Sequence, residues 1–100
     1  MIKVNVLYGH PTDPAAFEQH YRTVHAPLAE KVPNVKSFEW GKALGNADGS
    51  PAAYFWIATL TFADMAAMMG SMTTPEGAAA GADVANFATG GVTMVLSEVN

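Results

Sequence analysis

The sequence predicts an α+β domain in the order strand, helix, strand, strand, helix, strand. Three observations lead there. Hydropathy alternates with a period of two in four stretches, around Ile2 to Tyr8, Val35 to Leu44, Ala52 to Phe62 and Val92 to Leu96. After the first and third of these, apolar residues recur at spacings of three and four, as on one face of a helix. Asp13, Asp64 and Thr74 stand where such helices would begin, each with a side-chain oxygen able to accept from first-turn amides.

In chain order, Ile2, Val4, Val6 and Tyr8 form one apolar side of the first strand, with Lys3, Asn5 and Leu7 between them. Gly9-His10-Pro11-Thr12-Asp13-Pro14 is a tight connection stiffened by two prolines, and Pro14 suits a first helical position, where no donor is needed. Phe17, Tyr21, Val24 and Leu28 then mark an apolar helix face, with His25 on or beside it. Pro27 donates no hydrogen bond and its ring clashes with the preceding turn, so the regular helix is expected to end near His25 or Ala26, with an irregular tail to about Lys31.

Val32-Pro33-Asn34 breaks the chain, and the second strand sets Phe38 and Trp40 opposite Ser37, Glu39 and Gly41. A turn-rich loop, Gly45 to Pro51, leads to a third strand that is apolar on both faces and is therefore expected to be central and covered on both sides. Met65, Met68, Met69 and Met72 form a helical stripe expected to face the core. Thr74-Pro75-Glu76 restarts the helix, which runs through an alanine-rich stretch to Phe87 before Gly90-Gly91 ends it and Val92, Met94 and Leu96 begin the last strand. Four strands and two crossovers in this order give a ferredoxin-like βαββαβ domain over residues 1–100, a four-stranded antiparallel sheet with both helices on one face. The other face keeps apolar residues that need a cover, most simply a second copy of the chain.

Composition narrows the function classes. Half of the residues are hydrophobic, only 14% are charged and the formal net charge is −4, so the chain folds, carries a thin charged surface and has no basic stripe for nucleic acid. Its scattered lysines do not suit an anionic membrane surface, and no apolar run is long enough to span one. Without cysteine there are no disulfides, thiolate metal sites or cysteine nucleophiles. No basic-then-apolar leader precedes the first strand, so a cytoplasmic protein is expected.

His25 is the first candidate for chemistry, because imidazole is the side chain that gains and loses a proton near neutrality. It could equally cap carbonyls at the helix end or fill a gap beside the sheet. Tyr21, one turn earlier, could orient that imidazole or offer its own hydroxyl, or simply pack in the core. His10 lies in a loop that could contact a ligand, and His20 reads as surface. Phe17, Trp40 and Trp56 are the candidate apolar contacts for a flat hydrophobic ligand. No metal is expected: His20 and His25 stand about 140° apart around an α-helix, and Glu18, Glu39 and Asp64 have no metal spacing. The chain also lacks a Gly-x-Ser-x-Gly elbow, a phosphate-binding loop and a dinucleotide fingerprint.

The set His10-Pro11, Asp13-Pro14, Phe17, Tyr21, His25-x-Pro27-Leu28, followed by Pro33 before an aromatic strand, resembles the EthD family of the dimeric α+β barrel superfamily. The specific motif covers about the first third of the chain; strand order and length agree over the rest. The resemblance implies a homodimer whose sheets pack face to face, a pocket between helices and sheet with His25 as its principal polar group, and no cofactor. It also implies a setting in ether-degradation operons, and relatives that include cyclases, decarboxylases, dehydratases, quinone-forming monooxygenases and lactone isomerases. Such an architecture hosts too many activities to choose one by analogy. Three readings therefore stand: a cofactor-free enzyme of the lyase, isomerase, cyclase or monooxygenase kind acting on a small aromatic, polyketide-like or carbonyl-bearing metabolite; a non-catalytic binder or accessory protein for a hydrophobic metabolite; and a purely structural dimer with a filled core.

Overall fold

The N-terminal alternation becomes strand β1, Ile2–Tyr8, whose even-numbered side chains are all buried. In the computed structural model, which describes residues 1–100, β1 lies between β3 (Trp56–Phe62) and β4 (Val92–Glu98), and β2 (Ser37–Lys42) pairs with the far side of β3. All pairings are antiparallel in the order β2-β3-β1-β4, with Tyr8 opposite Trp56 and Val92, and Phe38 opposite Leu60. This is the ferredoxin-like α+β arrangement that the element order predicts. β2 and β3 are shorter than expected because the connection between them, from Ala43 to Phe55, keeps few ladder bonds, among them Ala43 N–H to the Phe55 carbonyl.

The first crossover does not end at Pro27. Helix α1, Pro14–His20, runs into a π-helical turn, Tyr21–His25, and then into α2, Ala26–Glu30. The wide turn explains the difference. A bond from Ala26 N–H to the Tyr21 carbonyl, five residues back, opens the helix just before Pro27, whose ring would otherwise meet a carbonyl of the preceding turn. The second crossover is α3, Met65–Met72, and α4, Pro75–Asp83, followed by a 3₁₀ turn, Val84–Asn86. The expected caps are in place: Asp13 accepts from Ala16 N–H at 3.1 Å, Asp64 from Ala67 N–H at 2.8 Å and Thr74 from Gly77 N–H at 3.1 Å.

The core lies between the helices and the sheet face carrying Val4, Val6, Tyr8, Trp56, Ala58 and Phe62, where Phe17, Tyr21, Ala26 and Phe87 pack on it. The methionine stripe does not face this core as expected. Met68 packs against it, but Met65, Met69 and Met72 are exposed, Met69 at 60%. The small face of α3, Ala67 with fully buried Ser71, is what lets the helix approach, and α4 follows closely because Gly77 lies against the Ser71 carbonyl with no room for a Cβ. Nor is β3 covered on both sides within one chain, since Ile57 on the open face is 40% exposed. That face mixes Leu7, Ile57 and Val95 with a polar network in which Asn5 Nδ2 donates to the Val95 carbonyl at 3.0 Å and to Ser97 Oγ at 2.9 Å. No helix is long and apolar enough to cross a membrane.

Candidate functional site

The π turn decides which side chains meet. Five residues along an α-helix leave two side chains about 140° apart, but across an i to i+5 turn they stand nearly one above the other. His20, just before this turn, and His25, its last residue, therefore reach a single carboxylate, Asp83 at the end of α4. His25 Nδ1 is 2.9 Å from Asp83 Oδ2, and His20 Nε2 is 2.9 Å from Oδ1. An ionised carboxylate only accepts, so both ring nitrogens are the donors here. Asn86 Nδ2 adds a third bond to Oδ1 at 3.1 Å. His20 is thus half-buried rather than surface, with its ring stacked on Phe87 at 5.2 Å.

His25 itself is buried, with its ring 5.1 Å from Tyr21 and 4.8 Å from Phe87. It lines a cavity of about 90 Å³ between sheet and helices, together with Tyr8, Tyr21, Phe38 and Leu60 on one side and Met72, Ala80, Gly81 and Val84 on the other. The volume is small beside the few hundred Å³ typical of small-molecule pockets, and all but three of its lining residues are hydrophobic or glycine: His25, Tyr8 and Tyr21 supply the polar groups. With Nδ1 held by Asp83, Nε2 is the imidazole nitrogen left without a partner in the chain.

Electrostatics keep these groups in defined states. Burial lowers the His25 pKa by more than the hydrogen bond and charge of Asp83 raise it, so the imidazole is neutral at pH 7 and can take up a proton. Burial opposes ionisation of Asp83, yet the hydrogen bonds from Asn86, His20 and His25 and the His20 charge outweigh it and hold its carboxyl below the ordinary range. Burial pushes both tyrosine hydroxyls well above their usual range, helped by the Asp83 charge at Tyr8 and by Tyr8 at Tyr21, so both remain neutral donors. The Tyr21 hydroxyl and Trp56 Nε1, in two side chains with no exposure at all, have no hydrogen-bond partner. Buried polar groups are seldom left so; of the two residues, Tyr21 is the one in the cavity lining.

His25 and Tyr21 thus come together at the cavity. Phe17 and Trp56 stand in the wall behind Tyr21, their rings 6.0 and 5.2 Å from it, and Trp40 stacks on Trp56 at 5.8 Å beneath the Arg22 guanidinium. His10 lies apart, donating from Nε2 to the Ala52 carbonyl at 3.0 Å with its ring against Phe55. No three His, Cys, Asp or Glu side chains are disposed to hold a metal ion. Asp83 escaped the sequence reading. Its signal was an acid placed within the stripe Ala80, Asp83, Val84 and Phe87, at spacings that continue a buried face.

Comparison with known proteins bears on the family and the fold. The EthD domain matches residues 9–91. An uncharacterized 11.0 kDa protein from the thcB-thcC intergenic region of Rhodococcus erythropolis is 45% identical over 98% of this chain and 94% of its own length. The crystal structure of an EthD-family protein from Bacillus halodurans superposes with a TM-score of 0.92 at 30% identity, covering 100% of this chain and 99% of that one. A protein from Thermobifida fusca described as dimeric and ferredoxin-like, and of unknown function, shares the fold with a TM-score of 0.74 at 19% identity, over 98% of this chain and 90% of that one.

Proposed function

The chain belongs to the EthD family, and on that premise we propose that it is a cytoplasmic, cofactor-free homodimer that moves a proton on a small hydrophobic metabolite bearing a carbonyl or phenolic oxygen. The observation that carries this reading is the neutral, buried His25, tied to Asp83 through one nitrogen and lining an apolar cavity beside the unpartnered Tyr21 hydroxyl. Nε2 takes the proton from carbon or oxygen, and Tyr21 donates to the oxygen on which charge develops. Phe17, Trp40 and Trp56 hold the tyrosine in place from behind, while His10, bonded to the Ala52 carbonyl, lies apart from the cavity. Such a step fits a degradative or biosynthetic pathway, ether degradation among them. The dimer reading is supported by the apolar Leu7, Ile57 and Val95 on the open sheet face and by the dimeric description of the Thermobifida fusca neighbour.

Acetophenone in deuterium oxide tests the chemistry, because its methyl protons exchange only when a base removes them. The protein should accelerate their deuteration, and His25→Gln should reduce that acceleration by about 10²-fold or more. Equal rates for the two proteins would overturn the mechanism. The mainly apolar lining favours the second reading, a binder or accessory protein that holds a hydrophobic metabolite for a partner enzyme. Retention of acetophenone with no deuteration above buffer would select that reading.

A further inference from the structure

Asp83 sits between two openings in the molecule. His25 lines the apolar cavity, whereas His20 and Asn86 line a separate polar cleft of about 270 Å³ between α1 and the 3₁₀ turn. One carboxylate accepts from both imidazoles, each at 2.9 Å. We infer that Asp83 is the positioning residue of His25, holding it as the Nδ1–H tautomer so that Nε2 is the atom presented to the cavity, and that His20 sets the basicity of His25 by competing for the same carboxylate from the cleft side. This inference rests on the reading that His25 acts on a ligand in the cavity.

The argument is chemical. A neutral imidazole carries one N–H, and the group it faces decides which nitrogen keeps it. An ionised carboxylate offers no donor, so it selects Nδ1–H on His25 without ambiguity. The carboxylate is itself anchored by His20 at 2.9 Å and Asn86 at 3.1 Å, and it stays ionised because three donors surround it. In the serine-protease triad an amide in place of the orienting carboxylate leaves the geometry intact and costs about 10⁴ in kcat through the wrong tautomer. The other titratable groups facing His25 are Tyr8 from β1 and Tyr21 from the π turn, both neutral; β2 and β3 present Phe38, Ala58 and Leu60 to the cavity, and β4 presents Met94. His20 is therefore the one basic neighbour that shares the Asp83 carboxylate with His25. When protonated it offsets Asp83 and makes a second positive charge on His25 harder to hold.

Nitrogen-15 imidazole spectra of the whole chain across pH test both halves and need no ligand. The expected result is a neutral His25 with its proton on Nδ1. In Asp83→Asn that preference is lost and the two tautomers mix, since the amide can donate as well as accept. In His20→Gln, which keeps a donor to Asp83, the tautomer persists and the His25 midpoint rises by about half a pH unit. A wild-type His25 protonated on Nε2 overturns the inference without recourse to any variant. So does an Asp83→Asn spectrum still wholly Nδ1–H, and an unmoved midpoint in His20→Gln removes the role given to His20. Failure here leaves the deuteration result standing, and failure of deuteration leaves these spectra interpretable, so the two readings fall separately.

Discussion

The helix that carries His25 and the pair of helices facing it across the cavity are built from different materials. The stretch Pro14–Glu30 buries Phe17 and Tyr21 completely, within contact of Tyr8, Trp56 and Phe87 at ring separations between 5.1 and 5.9 Å. Helices α3 and α4 contain no aromatic residue at all and meet the cavity with Met72, Gly77, Ala80 and Gly81. A wall of interlocked rings resists rearrangement, while methionine and small residues adapt. The difference teaches where precision and access reside: the imidazole is fixed by the aromatic wall, and any enlargement of a 90 Å³ cavity has to come from the α3–α4 side. Asp83 is the one side chain by which the soft wall hydrogen-bonds to the hard one.

The sharpest way to break that contrast is to truncate the hard wall. Phe17→Ala should lower the unfolding free energy in a urea titration by about 3–5 kcal/mol, the range for deleting a buried ring that its neighbours cannot collapse around. A loss below about 1 kcal/mol would mean that the aromatic wall is as compliant as the other. The soft wall is sensitive only where backbones touch. Gly77→Ala forces a Cβ into the Ser71 carbonyl and should cost about 1–3 kcal/mol by overpacking. Gly81→Ala, four residues on in the same helix, meets open space and should stabilise by about 0.5–1 kcal/mol through helix propensity. If the two alanines behaved alike, close contact between α3 and α4 would not be what distinguishes these glycines.

Much of the hard wall could be read in the sequence, and little of the link between the walls. Strands and caps were legible because alternation and capping are local: Ile2 to Tyr8 and Asp13 carry their own evidence. Tyr21 and His25 were legible as neighbours because four residues make a helical turn. The π turn was not, since the feature that marks it, Pro27, equally well predicts a helix end. Without the turn, His20 falls on the wrong side and Asp83, 58 residues from His25, has no reason to be noticed. The methionines failed for another reason. Periodicity finds a stripe, but α3 has a second stripe of small residues, Ala67 and Ser71, and close approach to the sheet favoured that one.

The grip between the walls is also sharpened by acid. Folding lowers the His25 pKa, so between its folded value and its ordinary value near 6.5 the unfolded chain binds more protons, and stability rises with pH across that window. Melting temperature should therefore begin to fall as pH drops below about 6.5. Asp83 is also depressed by folding, so its contribution is present above its ordinary value near 3.9 and is lost as pH falls through the folded value. His25→Gln should flatten the upper limb of the melting-temperature profile and leave the lower one. A profile flattened at neither limb would mean that these groups titrate alike in the folded and unfolded chains.

The smallest effect is expected on the outer surface of the soft wall, and there a null result is informative. Met69 is 60% exposed, so Met69→Gln removes little buried apolar area and should change stability by no more than about 0.5 kcal/mol in dilute solution. Met65 and Met72 expose comparable surface on the same helix, and β4 adds Val92, Met94 and Leu96, so the exposed apolar area on the helix side of the molecule is larger than Met69 alone. Urea titration at two protein concentrations separates the readings. A small, concentration-independent change means that this surface faces solvent. A large loss that grows as the protein is diluted means that the methionines are buried in the assembled protein, in which case the wall is soft only in the isolated chain and the cavity is closed by the partner.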